Sequence, residues 1–132
     1  MAYASALLGS PAATYRQIDV VGRSATADGA GLVQLLYEEL IAALRSAAWA
    51  AEHRQLATKS ERVTRATAIL FALEAGLDFE KGGSVSTALS TLYTGARKAI
   101  VSASLGNDPA PFRATAADMA EIAQAWRTAR AA

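Results

Sequence analysis

From Leu32 onward, apolar residues return every three or four positions, and they do so in four separate stretches. Val33, Leu36, Leu40, Leu44, Ala47 and Ala51 form the first stripe, widened by Tyr37, Ile41 and Ala48, and this spacing predicts a helix over about 28–53. In the next stretch Val63, Ala66, Leu70, Leu73 and Leu77 alternate steps of three and four, the seam of a coiled-coil-like pairing, which predicts a helix over about 58–77. Val85, Leu89, Leu92, Ala96, Ala99 and Ala103 predict a third over about 84–105, and Phe112, Thr115, Met119, Ile122, Trp126 and Ala129 a fourth over about 109–130. Four helices of similar length with short connections, each carrying one apolar stripe, imply an all-α protein: an antiparallel up-and-down four-helix bundle over residues 28–132. Residues 1–27 scatter Leu7, Leu8, Tyr15, Ile18 and Val21 through a small and polar sequence that cannot fold alone. They are expected to form an N-terminal capping segment that lies on the bundle or stays mobile.

Local punctuation agrees with the periodicity. Asn107 and Asp108 precede Pro109, a cap followed by proline in a first turn, where its missing N–H is not needed. Gly76 and Gly95 break the helical rule, each at up to about 1 kcal/mol relative to alanine. The stretch "LDFEKGGSV", Leu77 to Val85, falls between the second and third seams. Paired glycines beside Lys81 could in principle cradle a phosphate, but that requires a preceding strand and a Gly-Lys-Ser/Thr ending, both missing. Position therefore assigns Gly82 and Gly83 to a corner with positive φ and Ser84 to the N-cap of the third helix. Asp78 and Glu80, two apart, point in different directions and read as a solvated pair.

Composition narrows function rather than fold. With 132 residues, a formal net charge of +1 and no cysteine, the chain is one domain without a disulfide framework, a thiolate metal site or a nucleic-acid footprint. The opening lacks a basic n-region, and no run approaches the ~18 apolar residues of a membrane span. A soluble, cytoplasmic protein without membrane insertion is the expectation.

Candidate catalytic chemistry is sparse. His53 is the lone histidine, and the Glu-x-x-His repeats of a di-iron bundle are missing, so no metal and no cofactor are expected. A phosphotransfer bundle would use one helical histidine in a motif resembling His-x-x-Lys-Gly, whereas this chain reads "HRQLA" at a predicted helix end. There is no Gly-x-Ser-x-Gly elbow and no convergent set of titratable residues, so no catalytic residue is named and the chain is not read as an enzyme. What remains is surplus apolar surface: Leu32, Leu35, Ile69, Phe71, Tyr93 and Ile100 lie beside the assigned seams. Either they widen the core, or together they form a second groove for an amphipathic helix.

The order of residues adds a resemblance. Tyr15 is followed by "LVQLLYE" from Leu32 to Glu38, by "RATAIL" from Arg65 to Leu70, and by Leu77 and Asp78 ahead of Gly82 and Gly83. Leu92 and Tyr93 stand in the third helix and Trp126 near the end of the fourth. This succession, from about Tyr15 to Trp126, resembles the flagellin export chaperone FliS family. The chain departs from that pattern in reading "ADGAG" before the first long helix and in placing Thr94 and Gly95 after the Leu-Tyr pair. The resemblance implies a cytoplasmic chaperone that holds the disordered C-terminal segment of flagellin, prevents its premature polymerisation and presents it to the flagellar export gate. It also implies that the N-terminal segment covers part of the binding surface in the free protein, with Tyr15 and Ile18 as the cover, and a homodimer is weighed for the free state. The alternatives are a phosphotransfer or other signalling bundle and a self-associating structural helical module.

Overall fold

The structure is a computed structural model and describes residues 29–131. The expected N-terminal segment, with Tyr15 and Ile18, lies outside the described residues. Four helices follow one another: α1 (Gly29–Glu52), α2 (Leu56–Ala75), α3 (Phe79–Ala103) and α4 (Ala110–Ala131), and no strand occurs among the described residues. Helix α1 packs most extensively, on α2 and α4, and α3 closes the ring between α2 and α4. Sequential helices are thus neighbours joined by short reversals, the up-and-down four-helix bundle that the spacing implies.

Alanine dictates how tightly the ring closes. Leu36, Tyr37, Leu40 and Leu44 of α1 interleave with buried Ala43, Ala47, Ala48 and Ala51, and α2 answers with Ala66, Ala68 and Ala72 around Ile69, Leu70 and Leu73. Small side chains at the α1–α2 contact let the backbones approach, which suits the most extensive packing in the ring. Phe112, Ala116, Met119 and Ala123 complete the core from α4.

Each corner has a local cause. Helix α1 ends in a Schellman turn: the N–H of Gln55 donates to Ala50 O at 2.8 Å and that of Arg54 to Ala51 O at 3.2 Å, with Arg54 at φ 55°. At the next corner Asp78 is the N-cap, its Oδ1 accepting the Lys81 N–H at 2.9 Å. This corrects the expectation that Ser84 caps α3. The helix begins at Phe79, makes one turn, and kinks at Gly83, whose φ of 50° and ψ of −122° suit glycine alone. Of the two glycines assigned positive φ, only Gly83 has it; Gly82 is helical, and a Cβ there would meet Ser86 Oγ, so a side chain would have to displace that hydroxyl. That hydroxyl donates to Asp78 O at 2.8 Å and ties the first turn to the helix body. Ahead of α4, the Asp108 carboxylate accepts the Ala110 N–H at 2.9 Å.

The α3 seam also differs from the expected one. Ser86, Tyr93, Ala96 and Ile100 are its buried residues, Leu89, Leu92 and Ala103 are partly buried, and Val85 and Ala99 face outward. The stripe is rotated by about one residue, ~100° around the axis.

Candidate functional site

Tyr93 and Ile100, expected beside the seam, are in the seam, and Ile69 is fully buried against it. These three widen the core. Leu32 and Leu35, near the start of α1, are partly exposed. Phe71 of α2 is also partly exposed, and it is the expected residue that lines an open apolar depression.

That depression runs between α2 and α3, has a volume of about 470 Å³, and is lined by Thr67, Phe71, Arg97, Lys98, Val101, Ser102 and Leu105. Two of its apolar residues, Val101 and Leu105, stand four apart at the end of α3 and are well exposed. Its α2 wall is quiet in hydrogen bonding, since the Thr67 hydroxyl donates to its own helix at Val63 O, 2.8 Å away. Arg97 fixes the middle of the groove. Its guanidinium lies over the Phe71 ring, 4.1 Å from the centroid, while Nη1 donates to the Glu74 carboxylate. Burial pushes the Glu74 carboxyl up, but the Arg97 and Ser90 hydrogen bonds, the Arg97 charge and the weaker Thr94 contact outweigh it and hold the group below its ordinary range. Lys98, exposed beside them, makes no ion pair among the described residues and leaves one rim positive.

A second, narrower cleft of about 300 Å³ opens at the other end of the bundle, where Val33, Leu73, Leu77, Val85, Leu89 and Trp126 converge beside the α2–α3 corner. Tyr93 forms part of its floor, below the hydroxyl contact with Tyr37.

The polar candidates behave as local structure. His53 stands just past α1, its ring stacked on Trp49 with centroids 4.4 Å apart and its Nδ1 2.8 Å from Trp49 O. Among the described residues no cluster of three or more His, Cys, Asp or Glu side chains is placed to hold a metal ion. Nor is any described helix long and apolar enough to cross a membrane. Three ion pairs, Glu39–Arg65, Glu74–Arg97 and Glu52–Arg113, join α1 to α2, α2 to α3 and α1 to α4. At partly exposed positions they contribute little to stability, roughly 0–1 kcal/mol each.

Sequence reasoning missed Val101 and Leu105. The signal was present: both are large apolar residues outside the assigned seam, and with Lys98 they fall at i, i+3 and i+7 on one helical face.

Comparison with known proteins gives concordant matches. The family described as flagellar protein FliS matches residues 11–132. The flagellar secretion chaperone FliS of Salmonella typhimurium is 32% identical over 114 residues, which cover 86% of this chain and 84% of that protein. The flagellar secretion chaperone FliSB of Pseudomonas aeruginosa is 28% identical over 112 residues, covering 85% and 89%.

Proposed function

We propose that this chain, which belongs to the flagellar protein FliS family, is a cytoplasmic secretion chaperone that holds the C-terminal segment of flagellin as an amphipathic helix in the α2–α3 groove. The observation that carries this reading is the groove itself: Val101 and Leu105 offer exposed apolar surface beside Phe71, whose ring is capped by the Arg97 guanidinium, next to the Lys98 cation. Burying such side chains under a partner contributes about 1.5–3 kcal/mol each at full burial, against the cost of ordering a disordered segment. A holding function needs this kind of surface and no reacting group. Sequestering a segment that would otherwise drive polymerisation keeps flagellin monomeric, and the complex is then delivered to the export gate. In the free state the same apolar surface would favour a homodimer.

The test is to mix the purified protein with flagellin from the same cell and with flagellin lacking its C-terminal segment. A stable complex with intact flagellin alone is expected, and Leu105→Glu should abolish it without unfolding the bundle. Equal binding of the truncated flagellin would overturn the assignment of the segment. Full binding by Leu105→Glu would overturn the assignment of the groove.

A further inference from the structure

Lys59 contradicts three rules of its surroundings at once. It stands in the first turn of α2, where the helix dipole opposes a cation. It is only 3% exposed, although lysine is almost never buried without a partner. No carboxylate among the described residues lies within ion-pairing distance of it.

Its compensation comes from another helix. Lys59 Nζ donates to Gly106 O at 2.7 Å, just beyond the end of α3. There the chain continues in tight turns, with the N–H of Leu105 donating to Ser102 O at 3.2 Å and that of Gly106 to Ala103 O at 3.1 Å. The last turn of α3 has no basic residue of its own. Lys59 therefore brings to the negative end of the α3 dipole the positive charge that α3 lacks, and binds a loop carbonyl in doing so.

The contact has a consequence for the groove. Leu105, the residue before Gly106, is 89% exposed, and Leu56, three residues before Lys59, is 68% exposed; no large apolar side chains among the described residues are more open to solvent. Leu105 lies past the helix end, where nothing in helical geometry would fix its direction, yet it lines the groove with Val101. We propose that Lys59 is a positioning residue: by clamping the Leu105–Gly106 turn to the first turn of α2, it sets the apolar end of the α2–α3 groove and presents Leu105 to the partner helix. The inference rests on the groove as the flagellin site, but the clamp can be read out without flagellin.

Lys59→Met keeps most of the apolar stem and removes the donor. Amide hydrogen exchange of the free protein should quicken about tenfold or more at Leu105 and Gly106 and stay unchanged at Leu40 and Leu44 in the core. Affinity for a synthetic peptide of the flagellin C-terminal segment should fall about tenfold, a common consequence of losing a central contact. Combined with Leu105→Ala, Lys59→Met should weaken binding no further, because both changes remove one presented side chain. Lys59→Arg, which keeps a donor, should restore both readouts in part, and Lys59→Leu, which also lacks a donor, serves in place of the methionine variant if that one does not fold. Unchanged exchange at Leu105 and Gly106 would overturn the clamp. Quickened exchange with unchanged affinity, or affinity losses that add in the double variant, would reduce Lys59 to a structural role. A wild-type protein that fails to bind the peptide would reject the groove as the flagellin site, while exchange would still decide whether Lys59 sets its end.

Discussion

Tyr37 of α1 and Tyr93 of α3 meet hydroxyl to hydroxyl in the core, with ring centroids 6.5 Å apart and planes tilted by 50°. Their helices are opposite, not adjacent, in the ring, so this bond spans the diagonal of the bundle. Trp126 of α4, partly buried, packs against the same core. A polar pair at the centre of an alanine-rich core fixes which faces of α1 and α3 turn inward, something small apolar side chains do poorly by themselves.

Tyr93→Phe should accordingly cost about 1–3 kcal/mol in urea denaturation, because it strands the buried Tyr37 hydroxyl. Replacing both tyrosines by phenylalanine should cost less than the sum of the single changes. The same buried pair predicts a pH response. Burial raises the Tyr37 phenol above its ordinary value near 10, by more than the Tyr93 hydrogen bond and the nearby Trp126 indole lower it. The folded protein thus holds this proton more tightly than the unfolded chain does. Its contribution to stability is complete below about pH 10 and is lost as pH rises through the folded pKa. Tyr37→Phe, measured over that alkaline range, should flatten the decline.

A second prediction tests the register of α3. Ile100→Ala should destabilise the bundle by about 2–5 kcal/mol, the cost of a cavity in a packed core. Val85→Ala, at a position 61% exposed, should change stability by no more than about 0.5 kcal/mol. Periodicity alone would order these two the other way.

That reversal shows where the sequence is and is not transparent. In α1 and α2 the apolar residues greatly outnumber the alternatives on any other face, so Leu36, Leu40, Leu44, Val63, Ala66, Leu70 and Leu73 were legible as core. In α3 two rival stripes share Leu89, Ala96 and Ala103, and hydrophobicity favours the one through Val85. What decides between them is polar: Ser86 turns inward to bond Asp78 O, Tyr93 turns inward to meet Tyr37, and the kink at Gly83 separates the first turn from the rest. A count of apolar residues registers none of these. The groove was half legible for the same reason. Phe71 stands out beside a clear α2 seam, but Val101 and Leu105 could not be recognised as surplus while the α3 seam was placed one residue away.

The last prediction concerns the two positive-φ positions among the described residues, Arg54 and Gly83, which call for opposite substitutions. Arg54 occupies the left-handed site of a Schellman turn, which glycine fills most easily. A side chain there costs about 1–2 kcal/mol, while glycine recovers this at the expense of about 0.4–1 kcal/mol of extra entropy in the unfolded chain. Arg54→Gly should therefore stabilise the protein by about 0.5–1 kcal/mol, and Arg54→Asn by less. At Gly83 the ψ of −122° lies outside the left-handed well, so asparagine gains nothing there and Gly83→Ala should destabilise by about 1–3 kcal/mol. Its first effect should be local: the Phe79–Gly82 turn would shift, and with it the hydrogen bond from Ser86 to Asp78 O. Chemical denaturation of the three variants checks the pattern. A loss of stability in Arg54→Gly would mean that the arginine side chain holds the α1–α2 corner through its own contacts, and an unchanged Gly83→Ala would mean that α3 straightens through residue 83 at no cost.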